Sequence, residues 1–164
     1  MGTIEGSREI LGGLKEAGID LVASVPDINL LELLSLLSED KEIRHVPVGR
    51  EEEGVGVCTG AYLGGRRPAL LMQNGGLMNS CNGITTTALQ FGIPILLLVY
   101  YAGDLGDNAF HMLGLVTEPV LEGLGIKYEV LRDPALVKKQ IVGAVTVAEN
   151  SKRPVALLLT RAVL

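Results

Sequence analysis

Short apolar runs of strand length recur along the chain, and a helix-length segment separates each from the next. The runs are Leu21 to Val25, Arg44 to Val48, Ala69 to Gln73, Pro94 to Tyr101, Lys127 to Leu131 and Val155 to Leu159. Strands alternating with helices of ~10–15 residues imply right-handed crossovers and a parallel sheet covered by helices. Helices are expected over Glu5 to Ala17, Leu30 to Leu37, Glu51 to Leu63, Met78 to Phe91, Met112 to Leu124 and Pro134 to Glu149. Pro94 to Tyr101 is almost wholly apolar, as a strand covered on both faces should be. The expected fold is an α/β three-layer sandwich with a six-stranded, mostly parallel sheet. The 164 residues are read as a single domain, residues 1–164.

Within that pattern one helix stands out. Glu51, Glu52 and Glu53 open the segment that follows the second strand, and no further charge appears until Arg66. Acids at a helix N-terminus are ordinarily explained by the macrodipole and the unpaired first-turn N–H groups. A helix with no polar face beyond its first turn should be buried. At least one acid is then expected where a buried helix begins, at the carboxyl end of a strand. Open α/β sheets bind ligands there.

Composition removes several classes. A net charge of −5 with interspersed signs leaves no clustered basic footprint for nucleic acid. No apolar leader opens the sequence, and Ile93 to Tyr100 is too short to span a bilayer, so a cytoplasmic protein without membrane contact is expected. Cys58 and Cys81 lack metal-ligand spacing and read as free thiols. With His45 and His111 as the two histidines, no transition-metal site is expected. There is no phosphate-binding Gly-x-x-x-x-Gly-Lys-Ser/Thr, and no Gly-x-Gly-x-x-Gly after the first strand. The loops expected on the ligand edge are Pro26-Asp27-Ile28-Asn29, Gly49-Arg50-Glu51, Asn74 to Asn79 and Gly103 to His111. They hold carboxylates, amides and one histidine. Asp27 reads equally as a helix cap or a cleft acid. His111 is a site group or a surface histidine. Gln73 and Asn74 serve ligand binding or the turn itself, and Arg50 contacts an anion or its acidic neighbours.

Glu51, then Gly60-Ala61-Tyr62 nine residues on, Gly64, a Pro-led strand and Met72-Gln73-Asn74-Gly75-Gly76-Leu77-Met78-Asn79 occur in that order. This order resembles the pyrimidine-binding domain of thiamine-diphosphate enzymes, nearest the decarboxylases of sulfopyruvate and phosphonopyruvate. Val25-Pro26-Asp27 also looks like that branch. The likeness runs from about Ile4 to Leu159, and the length matches the alpha subunits of its two-chain members. Relatives often carry Ser-Gly where Gly75-Gly76 stands and Gly where Met78 stands.

The resemblance implies an enzyme that is one half of a pair. The Gly-Asp-Gly … Asn-Asn diphosphate motif is absent, since Gly103-Asp104-Leu105-Gly106 lacks its Asn pair. A beta subunit would hold the diphosphate and Mg²⁺, and alpha–alpha contacts would build a larger hetero-oligomer. Glu51, selected by the spacing to Gly60, would share a proton with the pyrimidine ring nitrogen. Gln73, Asn74, Gly75 and Gly76 would line the cofactor. Asp27 and His111 would assist proton transfer, and Asn29, Arg50 and Asn79 would meet substrate. The implied reaction turns sulfopyruvate into sulfoacetaldehyde and CO₂, as in coenzyme M biosynthesis. The alternatives are phosphonopyruvate or another 2-keto acid as substrate, or a non-catalytic regulatory or assembly subunit of the same fold.

Overall fold

A computed structural model describes residues 4–164. Its elements are α1 (Ile4–Glu16), β1 (Leu21–Ser24), α2 (Leu31–Glu39), β2 (Arg44–Pro47), α3 (Glu51–Leu63), β3 (Pro68–Gln73), α4 (Asn74–Asn79), α5 (Cys81–Gly83), β4 (Leu96–Tyr100), α6 (His111–Gly123), β5 (Lys127–Leu131), α7 (Val137–Ser151) and β6 (Val155–Leu159). The six strands form one sheet in the order β2-β1-β3-β4-β6-β5. Every pairing is parallel, so the expected mostly parallel sheet is parallel throughout. Each strand therefore ends on the same edge, and the loops after the strands gather there.

Two apolar clusters cover the two faces of the sheet. One joins Ile10 and Leu14 of α1, Leu33 and Leu37 of α2, and Val137 and Ile141 of α7 to alternate residues of the strands. The other joins Val55 and Cys58 of α3, Leu77 of α4, Ile84 and Ala88, and Leu121 of α6. The strands β3, β4 and β6 contribute to both clusters, which is why they read as continuous apolar runs.

Two expectations are corrected. The helix expected from Met78 begins at Asn74, directly off β3, and is not one helix. It runs as α4, then α5, then a π-helical stretch, Ile84–Leu89. Thr85, Thr86 and Thr87 each donate a hydroxyl to the carbonyl four residues back. Those bonds compete with the regular helical ladder and accompany its widening. The second correction concerns α3. Expected to be buried all round, it buries only Gly54, Val55 and Cys58, and its far side is open. Gly56 and Gly60 face empty space, and Leu63 is 74% exposed.

Candidate active site

The three acids that head α3 have three different fates. Glu53 Oε2 accepts the backbone N–H groups of Gly49 and Arg50, 3.1 Å each, and closes the helix start. Glu52 Oε1 accepts the Asn82 amide at 3.3 Å. Glu51 has no hydrogen-bond or ion-pair partner among the described residues, although it is half-buried. Its side chain lies across Gly76, where an added Cβ would stand 2.5 Å from Oε1. No real Cβ tolerates that approach, so only glycine lets Glu51 occupy this place. The spacing argument and the unused carboxylate select the same residue.

Around it the strand ends supply a polar rim. Asp27 Oδ1 accepts Asn29 N at 2.7 Å and Asn29 Nδ2 at 3.0 Å, which caps the turn Ile28–Leu30. Its Oδ2 accepts Gln73 Nε2 at 2.8 Å. One Asp27 oxygen thus caps the turn and the other ties it to the end of β3. Gln73 Oε1 in turn faces Gly75, whose added Cβ would lie 3.3 Å from it. Asn74 is fully buried and donates to Ala102 O at 2.8 Å and Thr117 Oγ1 at 2.9 Å. It ties the end of β3 to α6, and its Oδ1 is buried with no partner.

The loop between β4 and α6 is held rather than free. Arg132 pairs bidentately with Asp104, at 2.7 and 2.8 Å. That guanidinium holds the Asp104 carboxyl below its usual range. Asp107 Oδ2 accepts Gly103 N, and its Oδ1 pairs with Arg161 at 2.9 Å. At the loop's base Gly103 and Gly114 approach so closely that a Cβ on either would overlap the other's backbone. Phe110, in the left-handed region at φ 60°, turns the chain into α6 and sets His111 at its first position. His111, Arg50 and Asn79 are exposed, and Asp27 and Asn29 are half-buried. Glu51 adjoins Gly76, and Gly75, Gln73, Asp27 and Asn29 form one connected rim beside it. Among the described residues, His111, Arg50 and Asn79 do not hydrogen-bond to that group, while Leu113 of the same helix adjoins Gly75.

Sequence reasoning passed over Tyr100 and Arg161. Tyr100 ends β4 in register with Gln73, and Arg161 follows β6 by two residues. The rule that picked out the loops after the first strands reaches the residue after the last one equally well. Among the described residues no three His, Cys, Asp or Glu side chains group to hold a metal, and no helix is long and apolar enough to cross a membrane.

An all-parallel sheet with an unpartnered glutamate at the start of the helix after β2 suits a domain that grips a cofactor along one edge. Residues 4–112 match the family model for the N-terminal TPP-binding domain of thiamine pyrophosphate enzymes, and the chain belongs to that family. It is 44% identical over 155 residues to the sulfopyruvate decarboxylase subunit alpha of Methanococcus maripaludis, covering 93% of each chain. It is 32% identical to a sulfopyruvate decarboxylase of Methanosarcina acetivorans, covering 96% of this chain but 41% of that one. Among solved structures, a 2-oxoglutarate:ferredoxin oxidoreductase from Magnetococcus marinus superposes with a TM-score of 0.75 at 14% identity, over 96% of this chain and 29% of that one. That last likeness is one of fold.

Proposed function

We propose that the chain is the alpha subunit of a two-chain, thiamine-diphosphate-dependent decarboxylase. It converts sulfopyruvate to sulfoacetaldehyde and CO₂, a step of coenzyme M biosynthesis, in the cytoplasm. Residues 1–164 act as one pyrimidine-binding domain. The observation that carries this reading is Glu51: a half-buried carboxylate with no partner among the described residues, lying over Gly76 at the ligand edge. Partly exposed and unengaged, its oxygens remain available to a ligand at that edge.

Thiamine diphosphate, when bound, supplies a carbon nucleophile and the sink for the electrons that decarboxylation leaves behind. Glu51 holds a proton against the pyrimidine ring nitrogen. Gly76 leaves room for Glu51, and Gly75, Gln73 and Asn74 would line the ring beside it. Asp27, steadied by Gln73 and Asn29, and His111 move protons at the reacting carbon. Asn29, Arg50 and Asn79 meet the substrate from the rim. A beta subunit holds Mg²⁺ and the diphosphate, and alpha chains also contact one another. Two findings support the division: a relative is named subunit alpha, and this chain aligns with only 41% of the length of another relative.

The test is CO₂ release from sulfopyruvate by the purified chain, by its partner subunit, and by the two together, with thiamine diphosphate and Mg²⁺. Activity in the mixture alone is expected. Equal activity of either chain alone, or none in any arm while the two chains form a complex, refutes the reading.

A further inference from the structure

The described cations near the ligand edge differ in what they have left to offer. Arg132 spends its fork on Asp104. Arg50 is exposed, and no side-chain partner fixes its guanidinium. Arg161 is different. Its Nη2 pairs with Asp107, whose carboxylate is only 5% exposed and is itself fixed by Gly103 N. The guanidinium also adjoins the phenol of Tyr100, a side chain 1% exposed at the end of β4. Yet the Arg161 side chain is 61% exposed. An arginine has five N–H donors in a rigid fork. Two buried neighbours orient this one, and most of its side chain is still exposed beyond the carboxyl end of β6.

Its place follows from the register. Gln73 pairs with Tyr100 and Tyr100 with Leu159, two residues before Arg161. Adjacent strands lie about 4.8 Å apart, so two strand steps, about 10 Å, separate Gln73 from Leu159 across the sheet, and Arg161 lies two residues beyond Leu159. Gln73 bonds Asp27 and adjoins Gly75, next to the Gly76 that Glu51 covers. A substrate whose keto carbon lies by the glycines would meet this arginine only through the arginine's own long side chain, reaching in from beyond β6.

We infer that Arg161, oriented by Asp107 and Tyr100, is the specificity residue that binds the anionic tail of the substrate, a sulfonate or phosphonate borne on the carbon next to the keto group. The inference rests on the decarboxylase reading. Guanidinium matches such oxyanions through paired N–H···O bonds, and a preset side chain loses little freedom on binding.

The two-chain enzyme with Arg161→Ala is assayed on sulfopyruvate and on pyruvate, which lacks the charged tail. Loss of a charge-assisted contact should lower kcat/KM for sulfopyruvate about 10- to 100-fold, mainly through KM, and leave pyruvate little changed. An equal fall for both substrates, or none, overturns the assignment and leaves Arg161 as a loop anchor. If Arg161→Ala fails to assemble, Arg161→Lys keeps a charge for Asp107 but not the fork. It should raise KM for sulfopyruvate alone, and unchanged selectivity overturns the inference. Titration with unreactive 3-sulfopropanoate is independent of turnover, and binding weakened by Arg161→Ala supports the site while equal affinity overturns it. A complex inactive on every 2-keto acid counts against the decarboxylase reading, and this titration still decides Arg161.

Discussion

The two helical layers of this molecule are built differently. The layer of α1, α2 and α7 is amphipathic, with charges outward and apolar residues on the sheet. Its outer face is laced by pairs such as Lys138–Glu9 and Lys15–Asp40. The layer of α3, α4, α5 and α6 carries its charges at the head of α3 and on Glu118 and Glu122 of α6, with none on the helix residues between. From Pro68 to Gly103 the sequence contains no Asp, Glu, Lys or Arg. Leu63, Phe91, Met112 and Leu115 are each at least 68% exposed there. The first layer meets water on its own terms. The second carries Glu51, Gly75 and Gly76 and exposes the apolar side chains that protein partners usually cover. Candidate site and exposed apolar surface lie on the same layer, as the proposal of a cofactor shared between two chains expects.

The contrast can be broken by substitution. The largest effect belongs to Gly76→Ala within the site. Its Cβ has no room beside Glu51, so kcat should fall by a factor of about 100 or more while thermal unfolding moves little, checked by steady-state assay and calorimetry. Gly114→Ala meets the backbone of Gly103, which has no flexible end to yield. Unfolding in urea should show a loss of about 1–3 kcal/mol. Leu63→Glu on the second layer should shift the assembled complex toward free chains on a sizing column, with the isolated chain's stability within about 0.5 kcal/mol. Val147→Glu, on the first layer and 37% exposed, should leave the assembly intact. If both substitutions dissociate the complex equally, the distinction between layers fails.

The smallest effect is one of pH. Burial holds the His45 imidazole below its ordinary value, and Ser24 Oγ lies 2.7 Å from its Nε2. The unfolded chain then binds the proton more readily than the folded one. Stability is full above pH of about 6.5 and declines as pH falls through it. His45→Gln should flatten that slope between pH 7.5 and 5.5 in urea titrations.

The first layer was legible in the sequence because helical period and burial agree there. Ile10 and Leu14 repeat four apart and are both fully buried. The second layer misled for one reason. An uncharged helix reads as buried whether its cover is its own chain or another, so α3 was expected inside and its far side is open. The start at Asn74 was missed because Gly75-Gly76 signals a loop, whereas here it clears space for Glu51. Strand-end position points to Asp27 and Gln73, and the spacing to Gly60 to Glu51; the structure brings the three to one edge. Arg161 was missed, because nothing in its immediate neighbours sets it apart until register brings Tyr100 alongside.

The account stands on the Glu51 carboxylate being reserved for the cofactor ring. Glu51→Gln keeps the side chain's size and removes its acid. In the reconstituted two-chain enzyme, saturated with thiamine diphosphate and Mg²⁺, the rate of CO₂ release should drop about 10²–10⁴-fold with assembly and unfolding temperature unchanged. Turnover within a few-fold of the unsubstituted enzyme would contradict it.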